Sequence, residues 1–373
     1  MTTQSKVVLR DEQNPLIAVL SSSFRGSMKF ARRQPIGAIG FMVILIAVIV
    51  AITGPWIKPE DPLEIHARSL FHKPEWIKGF YLGTDHLGRD NLSRIIIGLK
   101  PSLRIAMFGV ASGALIGYAM GLVSGYYGSW VDAVLQRIIE AKLAFPTLVL
   151  ALALVSVLGT SAWHPSPWIL FGIIIGMGAV VVGLAFANER EAGAAMSTLV
   201  STSIVVLIIL VLLVGLLDDR PFTRSPQFTL EKVSVPILLI GIPGTSRVVR
   251  AVTLANRNAE YVQAARAIGA TDFRIMVRHI APQTFAPVMI LVTSGLGSAI
   301  IIESSLSFLG LGIPPPHPSL GGMLSGQTLT NVEKAPWNAV FPGLVLTMIV
   351  FSFNLLGDSL RDHFDPRLRA GGR

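Results

Sequence analysis

Long apolar runs constrain the fold of this chain more than any other feature of its sequence. A helix needs about 20 consecutive apolar residues to cross the hydrocarbon core of a bilayer, and eight stretches approach or exceed that length. They occupy residues 36–53, 102–126, 143–158, 168–187, 199–217, 236–252, 285–302 and 340–356. Only 14% of the residues are charged, whereas a soluble globular protein has about 25%. The sequence therefore predicts an all-α polytopic membrane protein.

The remaining composition excludes several classes of chemistry. The chain has no cysteine, which rules out disulfides, thiolate metal sites and a cysteine nucleophile. Its net charge of +9 does not indicate a nucleic-acid partner, because excess Lys and Arg in a membrane protein marks the loops that stay in the cytoplasm. We therefore expect membrane lipid, and no nucleic acid, around this chain.

Charge and span number together predict the orientation. Six basic residues precede the first span, so this span should enter the membrane from the cytoplasm. The polar start is too long for a signal peptide, and the first span is interpreted as a retained anchor. An even number of spans then places both termini and residues 247–282 in the cytoplasm. The linkers 188–198 and 218–235 run mildly against the charge rule.

The predicted domain boundaries follow from these spans. We expect a cytoplasmic N-terminal segment, a first transmembrane anchor, an extracytoplasmic segment, a transmembrane domain and a cytoplasmic tail. Their limits are residues 1–35, 36–54, 55–101, 102–360 and 361–373. Residues 16–30 are loosely amphipathic and either lie along the membrane surface or form a partly frayed tail.

A stripe of glycines runs along the second predicted span at a spacing of four residues. Its members are Gly109, Gly113, Gly117, Gly121 and Gly125. On a helix this spacing puts all of them on one face, where the absence of side chains lets another backbone approach closely. The stripe predicts a packing seam, either inside the subunit or against a partner.

The extracytoplasmic segment contains one pair of residues, Asp85 and His86, that would suit metal binding or acid–base chemistry. A lone Asp-His pair in a Gly-rich turn is weak support for either. We favour a structural turn in which Asp85 and Asp90 cap short helices. No catalytic residue and no metal ligand is therefore predicted for this chain.

Residues 247–282, the Arg-rich segment, form the most basic stretch between the first and last spans. The segment holds six arginines against two acids, Glu260 and Asp272. It also contains small alanines, which allow close contact with a cleft of another protein, while the arginines offer charge pairing. We therefore favour a docking segment, and the alternative is a solvated basic loop between membrane helices.

The Arg-rich segment is punctuated like two short helices joined by an elbow. Residues 259–268 are predicted to form the first helix, which Gly269 ends in a left-handed conformation. Thr271 and Asp272 supply the cap and the first-turn acid of a second helix that runs to residue 279. Pro282 is then expected to begin the next span.

The Arg-rich segment resembles the motif that marks the membrane subunits of ATP-binding-cassette (ABC) importers. The general motif reads Glu-Ala-Ala, three residues, Gly, nine residues, and then Ile-x-Leu-Pro. This chain has Gln263-Ala264-Ala265, Gly269 and His279-Ile280-Ala281-Pro282 at that spacing. Gln263, His279 and Ala281 depart from the general pattern, and the Arg-His-Ile-x-Pro ending is similar to the peptide-importer branch.

Five further stretches are similar to the C-type permease subunit of dipeptide and oligopeptide importers. They are residues 83–94, 124–132, 303–324, 335–343 and 353–367. The resemblance extends from about residue 32 to residue 367 and implies the type I ABC importer transmembrane fold. Because that family has six core spans, eight predicted spans imply a two-span insertion at about 165–235. The coupling loop would occupy about 253–282.

The resemblance implies a permease subunit of an ATP-driven importer in the bacterial inner membrane, forming half of the translocation pathway for peptides. A homologous second permease subunit, two ATPase subunits and an extracytoplasmic substrate-binding protein would complete the machine. The residues implied in ATPase coupling are Glu260, Gln263, Ala264, Ala265, Gly269, Asp272 and Pro282.

ATP and Mg²⁺ are expected on the partner subunits and not on this chain. The sequence contains no G-x-x-x-x-G-K-[ST] phosphate loop. Residues 323–327 superficially look like the signature motif of the ATPase subunits, but they lack an upstream phosphate loop and are predicted to lie outside. The chain is therefore expected to be a non-catalytic subunit without a cofactor of its own.

Two questions stay open at the level of the sequence. Glu303 lies at the outer end of the span 285–302, where an ionisable group is a candidate for the pathway, and a structural role at the helix end is the alternative. Permeases with these motifs also serve nickel, glutathione, opines or oligosaccharides. An ion-coupled secondary carrier is disfavoured, because it should show internal repeats and buried acids within its spans, and the sequence shows neither clearly. A membrane-embedded enzyme is disfavoured, because no nucleophile–base pair or metal-ligand spacing lies on adjacent helix faces.

Overall fold

The structure is a computed structural model, and it describes residues 34–75, 79–159 and 233–364. In these ranges the chain is helical, and the β pairing consists of one isolated bridge between Thr84 and Asp90. The helices, numbered in chain order, are α1 (Pro35–Ile57), α2 (Asn91–Tyr127), α3 (Ser129–Leu143), α4 (Thr147–Gly159), α5 (Ser234–Asn256), α6 (Glu260–Ala267), α7 (Asp272–Ile275), α8 (Ala281–Phe308), α9 (Leu320–Met323), α10 (Gln327–Thr330) and α11 (Trp337–Phe364). A π turn over Met276–Ile280 joins α7 to α8.

Five helices within the described ranges are long and apolar enough to cross a membrane. They are α1, α2, α5, the continuous helix Asp272–Phe308, and α11. They coincide with the predicted spans 36–53, 102–126, 236–252, 285–302 and 340–356. The prediction of an all-α polytopic membrane protein is confirmed.

The predicted span 143–158 has a different form from the other five. Helices α3 and α4 are bent by 90° at a short break, and they make a sixth span only if the bent pair is counted as one. The break ends at Pro146, which lacks a backbone N–H and disfavours a helical conformation in the residue before it. The break at Pro146 is thus a full bend, and the polar helix α3 belongs to the same unit.

Several sequence predictions fall outside the described residues and stay predictions. They are the spans 168–187 and 199–217, most of the insertion at 165–235, residues 1–33 with their amphipathic stretch, and residues 365–373 of the tail.

Helix α1 carries an apolar stripe that is turned away from the rest of the bundle. The stripe consists of Ile36, Ile39, Met42, Ile46 and Ile49, whose exposed fractions lie between 46% and 62%. The opposite face of α1 is buried in the bundle through Ile44, Val48 and Ala51. Because the stripe follows the helical period, it forms one apolar face that the described part of the subunit leaves uncovered.

The glycine stripe of α2 lies directly against α5. A Cβ atom added at any of the five glycines would lie within 2.7 Å of a heavy atom of α5. From the first glycine to the last, the nearest residue of α5 is in turn Ile237, Leu238, Ile242, Ser246 and Thr253. The seam is therefore inside the subunit, which decides between the two alternatives left by the sequence.

The order of these contacts gives the direction of the two helices. Contacts advance toward the carboxyl end of α5 as they advance toward the carboxyl end of α2, so the helices run parallel. Both helices therefore begin at one end of the bundle and end at the other.

The remaining contacts sort the helix ends into two groups. Helix α11 runs antiparallel to α8, because Gly297 lies against Val350 while Gly357 lies against Thr293. The start of α1 lies beside the last turns of α11, where Gly40 approaches the carbonyl oxygen of Ser352. The start of α1 and the end of α11 therefore lie at the end of the bundle that carries the Arg-rich segment, which we call the Arg-rich end.

The opposite end of the bundle holds the segment between α1 and α2 and the start of α11. The indole nitrogen Nε1 of Trp337 donates to the carbonyl oxygen of Thr84 at 3.2 Å. Close by, the amide of Asn91 donates to Asn338 Oδ1 at 2.6 Å. These bonds fasten the extracytoplasmic segment predicted at 55–101 to the last membrane helix.

A single methyl group in the seam is expected to destabilise the bundle. At Gly121 a Cβ atom would press on the carbonyl oxygen of Ser246, and overpacking of this kind costs about 1–3 kcal/mol. We expect Gly121→Ala to lower the thermal unfolding midpoint of the detergent-purified protein by several degrees. The matched control is Gly244→Ala on α5, where nothing lies within 4 Å of the added Cβ. Equal midpoints for the two variants would contradict the seam as a determinant of stability.

Candidate coupling surface

The Arg-rich segment forms the predicted helix–elbow–helix. Helix α6 ends in two hydrogen bonds, from Ala270 N to Ala265 O at 3.0 Å and from Gly269 N to Arg266 O at 2.9 Å. This pair of bonds is the Schellman arrangement, which needs a left-handed residue, and Gly269 has φ +81°. Helix α7 then begins under the Thr271 side chain, which accepts a hydrogen bond from the backbone N–H of Arg274 at 3.4 Å.

The second half of the segment differs from the prediction. The sequence predicted a separate short helix to residue 279 and a new span from Pro282. Instead, α7 passes through the π turn at Met276–Ile280 into α8, and Asp272–Phe308 is one continuous helix of 37 residues. The wide turn lies directly before Pro282, whose missing N–H and bulky ring interrupt the regular α-helical hydrogen bonds. The elbow at Gly269 is therefore attached rigidly to a membrane span.

The inner face of the segment packs on its own subunit. Val262 and Ala265 of α6 are buried together with Ile275, Met276 and Ile280 from the start of the long helix. They rest on Leu122 and Tyr126 of α2 and on Val249 of α5. Ala265, one of the residues implied in coupling, therefore faces inward and sets how closely α6 approaches the bundle.

The other residues implied in coupling occupy different positions around the segment. Glu260, Gln263 and Ala264 are exposed on α6, and Pro282 is half-buried at the start of α8. The Gln263 amide donates to the carbonyl oxygen of Asn258 at 2.9 Å, so this side chain braces the start of its own helix.

The outer face of the segment carries two exposed apolar side chains that the sequence analysis did not single out. Ile268 is 86% exposed and Phe273 is 72% exposed, one on each side of the Gly269 elbow. Together with Ala264 they form what we call the elbow tip. No signal in the sequence distinguishes these two residues, because the face of α6 that buries Val262 and Ala265 is known only from the structure.

Three of the six arginines in the segment are used inside the subunit. Arg250 makes two hydrogen bonds to the Asp132 carboxylate, at 2.6 Å and 2.5 Å. Arg257 donates to the carbonyl oxygen of Gly125 at 3.3 Å, and Arg266 donates to the Tyr126 hydroxyl group at 3.3 Å. The others are Arg247, Arg274 and Arg278, and all three are exposed. The charge available for a partner is thus smaller than the sequence suggests.

At the opposite end of the bundle, Asp85 has a structural role. Its Oδ1 atom accepts hydrogen bonds from the backbone N–H groups of Leu87 and Arg89, at 2.8 Å and 3.0 Å. The Arg89 side chain closes the turn through Asp85 Oδ2 at 2.7 Å. Asp85 therefore caps a turn and not a helix, which corrects the prediction, because the next helix, α2, begins only at Asn91.

Asp90 is the helix cap that the sequence predicted. Its side chain accepts a hydrogen bond from the backbone N–H of Ser93 at 2.8 Å, in the first turn of α2.

His86, the other residue of the Asp-His pair, is partly buried, and this burial lowers its pKa. Asp85 opposes this effect, whereas Arg89 and Arg94 reinforce it. Within the described ranges no group of three His, Asp or Glu side chains is arranged to hold a metal ion.

Glu303 lies fully buried in the last turns of α8. Its carboxylate accepts hydrogen bonds from the hydroxyl groups of Ser307 at 2.8 Å and Ser304 at 3.3 Å. The chain that follows α8 covers these serines so tightly that a Cβ at Gly312 would overlap Ser307 and one at Gly321 would overlap Ser304. In this conformation the Glu303 side chain is enclosed at the helix end.

Comparison with known proteins decides the family. A sequence model described as "Binding-protein-dependent transport system inner membrane component" matches residues 169–370, which is more than half of the chain. The chain belongs to this family. The match includes the Arg-rich segment and the two membrane helices that follow it.

Individual relatives of this permease family cover nearly the whole chain. The dipeptide transport system permease protein DppC of Haemophilus influenzae is 32% identical over 345 residues, covering 91% of this chain and 94% of that protein. DppC of Alkalihalophilus pseudofirmus is 28% identical over 349 residues, covering 94% and 91%. The glutathione transport system permease protein GsiD of Pectobacterium atrosepticum is 31% identical over 346 residues, covering 92% and 90%. The chain is thus a permease with the type I ABC importer membrane fold.

The elbow predicts a specific response to substitution at Gly269. A residue with a side chain in the left-handed conformation costs about 1–2 kcal/mol, and Asn tolerates it best. We expect Gly269→Val to speed hydrogen exchange of the Ala270 amide about tenfold, because the bond to Ala265 opens more often. Gly269→Asn should stay close to the unsubstituted protein. Similar exchange in both variants would show that the elbow does not depend on its left-handed residue.

Proposed function

We propose that this permease is half of the translocation pathway of a peptide importer and that the elbow tip docks into partner ATPase subunits. The observation that carries the proposal is the exposed pair Ile268 and Phe273 on an elbow continuous with a membrane span. Exposed apolar side chains at the tip of a rigid projection suit a cleft of another protein. ATP and Mg²⁺ are bound by those partner subunits.

The proposed movement follows from the continuity of the helix Asp272–Phe308. ATP binding closes the two ATPase subunits and displaces the elbow tip. The displacement passes along the continuous helix to its far end, where the Glu303 carboxylate is enclosed. Alternating exposure of the pathway then arises from rigid tilting of helices.

The proposed orientation places the Arg-rich end in the cytoplasm and the segment around Asp85 outside. The start of α1 and the end of α11 lie at the Arg-rich end, so both termini are cytoplasmic in this orientation. The excess of Lys and Arg in the flanking sequences supports it. The membrane is then the bacterial inner membrane, with the binding protein acting from the outside.

The second permease subunit is proposed to cover an apolar face of the bent pair α3–α4. Trp130, Val134 and Ile138 are exposed on α3 at a spacing of four residues. Phe145 in the break and Val149 on α4 are exposed as well. Such a stripe on a helix that also carries Asp132 and Arg137 is better covered by protein than by lipid alone.

The proposed substrate class is small peptides. Relatives named for dipeptide transport and for glutathione transport match this chain at nearly equal identity. Both names denote compounds with peptide bonds, which supports peptides as the substrate class.

Reconstitution tests the function directly. Proteoliposomes would contain this chain, the second permease and the ATPase subunits, with the binding protein added outside, and uptake of labelled dialanine and labelled glutathione would be measured. We expect uptake that requires both ATP and the binding protein. Uptake by this chain alone, driven by an ion gradient, would overturn the proposal in favour of a secondary carrier.

The docking role predicts loss of assembly when the elbow tip is truncated. Phe273→Ala removes a large exposed apolar group, and such an anchor at an interface typically contributes about 2 kcal/mol or more. We expect recovery of ATPase subunits with the purified permease to fall more than tenfold. Leu329→Ala is the matched control, because Leu329 is 52% exposed but belongs to α10, beyond the outer end of α8. Equal recovery with both variants would contradict docking at the elbow.

A further inference from the structure

The last turn of α2 meets the elbow through one tyrosine. The Tyr126 hydroxyl group donates to Asp272 Oδ1 at 2.6 Å and accepts a hydrogen bond from Arg266 Nη2 at 3.3 Å. The Arg266 guanidinium carbon also lies 5.6 Å from the centre of the Tyr126 ring. Arg266 belongs to α6 and Asp272 to α7, so a single hydroxyl group bridges the two sides of the Gly269 elbow.

The ring of Tyr126 is held in place by the apolar core beneath the elbow. The side chain is 7% exposed and packs in the same cluster as Leu122, Ala265 and Ile275. Since the ring is buried in this cluster, the hydroxyl group is presented at a fixed position. Tyr126 thus differs from its neighbour Tyr127, which is 51% exposed.

A second set of contacts fastens the same turn of α2 to two other helices. The Ser124 hydroxyl group donates to Asp132 Oδ1 at 2.5 Å, and Asp132 also holds Arg250 of α5 through two hydrogen bonds. Arg257, just after α5, donates to the carbonyl oxygen of Gly125. Helices α2, α3 and α5 are therefore joined at this level, and the glycine seam extends that union along α2 and α5.

The two routes from the elbow into the membrane differ in kind. The elbow continues covalently into α8, whereas it reaches the joined helices α2, α3 and α5 through non-covalent contacts. Among the described residues, the polar contacts between the elbow and α2 converge on the Tyr126 hydroxyl group. The Tyr118 hydroxyl group of α2 also forms hydrogen bonds, but these join α2 to Ala281 and Thr284 of α8 and not to the elbow. Two apolar surfaces can slide past each other, but hydrogen bonds to charged groups fix the relative position of the residues that they join.

We propose that Tyr126 is a positioning residue that transmits displacement of the elbow to the seam-joined helices, so that they move together with α8. The inference rests on the proposed coupling function and adds to it a second path into the membrane. Without the Tyr126 hydroxyl group, the elbow still docks and still moves α8. The seam-joined helices then lag behind, and ATP hydrolysis is no longer converted fully into transport.

The test uses the complete transporter reconstituted in proteoliposomes with the binding protein and with labelled dialanine or labelled glutathione, whichever is taken up. Tyr126→Phe keeps the ring and removes both hydrogen bonds. We expect ATPase subunits to be recovered normally, while substrate taken up per ATP hydrolysed falls about fivefold or more, an effect of the size of one hydrogen bond to a charged group. Tyr127→Phe is the matched control and should leave this ratio unchanged.

A double-mutant cycle separates transmission from a general loss of structure. Asp272→Ala removes the acceptor of the Tyr126 hydroxyl group, and the double variant with Tyr126→Phe should be no worse than the more impaired single variant. An unchanged ratio in Tyr126→Phe, or strictly additive losses in the cycle, would overturn the proposal. Failure of Tyr126→Phe to assemble with the ATPase subunits would also overturn it, since the residue would then serve folding or docking.

The outcome also separates this inference from the proposed function. If the unsubstituted complex shows no ATP-dependent uptake, both the coupling function and the role of Tyr126 are wrong. If it transports normally and Tyr126→Phe transports equally well per ATP, only the role of Tyr126 is wrong.

Discussion

The rest of the structure depends on the close approach of α2 and α5 along the glycine stripe. Because every fourth residue of α2 lacks a side chain, the carbonyl groups of α5 approach the α2 backbone directly. In a bilayer such packing replaces the hydrophobic effect as the force between helices. The two helices run parallel along this seam, and the carboxyl termini of both lie at the Arg-rich end. There they form the floor on which Val262 and Ala265 rest.

The π turn at Met276–Ile280 is the second constraint on the fold. If α7 had ended before Pro282, a loop would have connected the elbow to α8. The wider turn accommodates the proline and keeps the backbone helical from Asp272 into the membrane. A loop would absorb a push on the elbow, whereas a continuous helix passes it on, and this makes the Arg-rich segment part of the bundle.

Features coded locally could be predicted from the sequence, and features made by distant residues could not. The glycine spacing, the Gly269 elbow and the Asp90 cap depend on neighbours a few residues away, and each lies where expected. The inward direction of Ala265 depends on how α6 packs on α2, which is distant in sequence. The hydrogen bond from Tyr126 to Asp272 likewise joins residues that are 146 positions apart. The motif identifies the segment but gives no account of which of its faces is buried.

Several independent contacts fix the shape of the elbow, and together they affect how it can move. The Schellman bonds fix the end of α6, the Thr271 side chain fixes the start of α7, and the Tyr126 hydroxyl group bridges the two. Each contact alone is worth only about 1 kcal/mol, which a push from a partner could overcome. Acting together on ten residues, they leave the elbow little freedom to bend. Under the proposed push from a partner, a segment with so little freedom to bend would move as a unit together with the helices fastened to it.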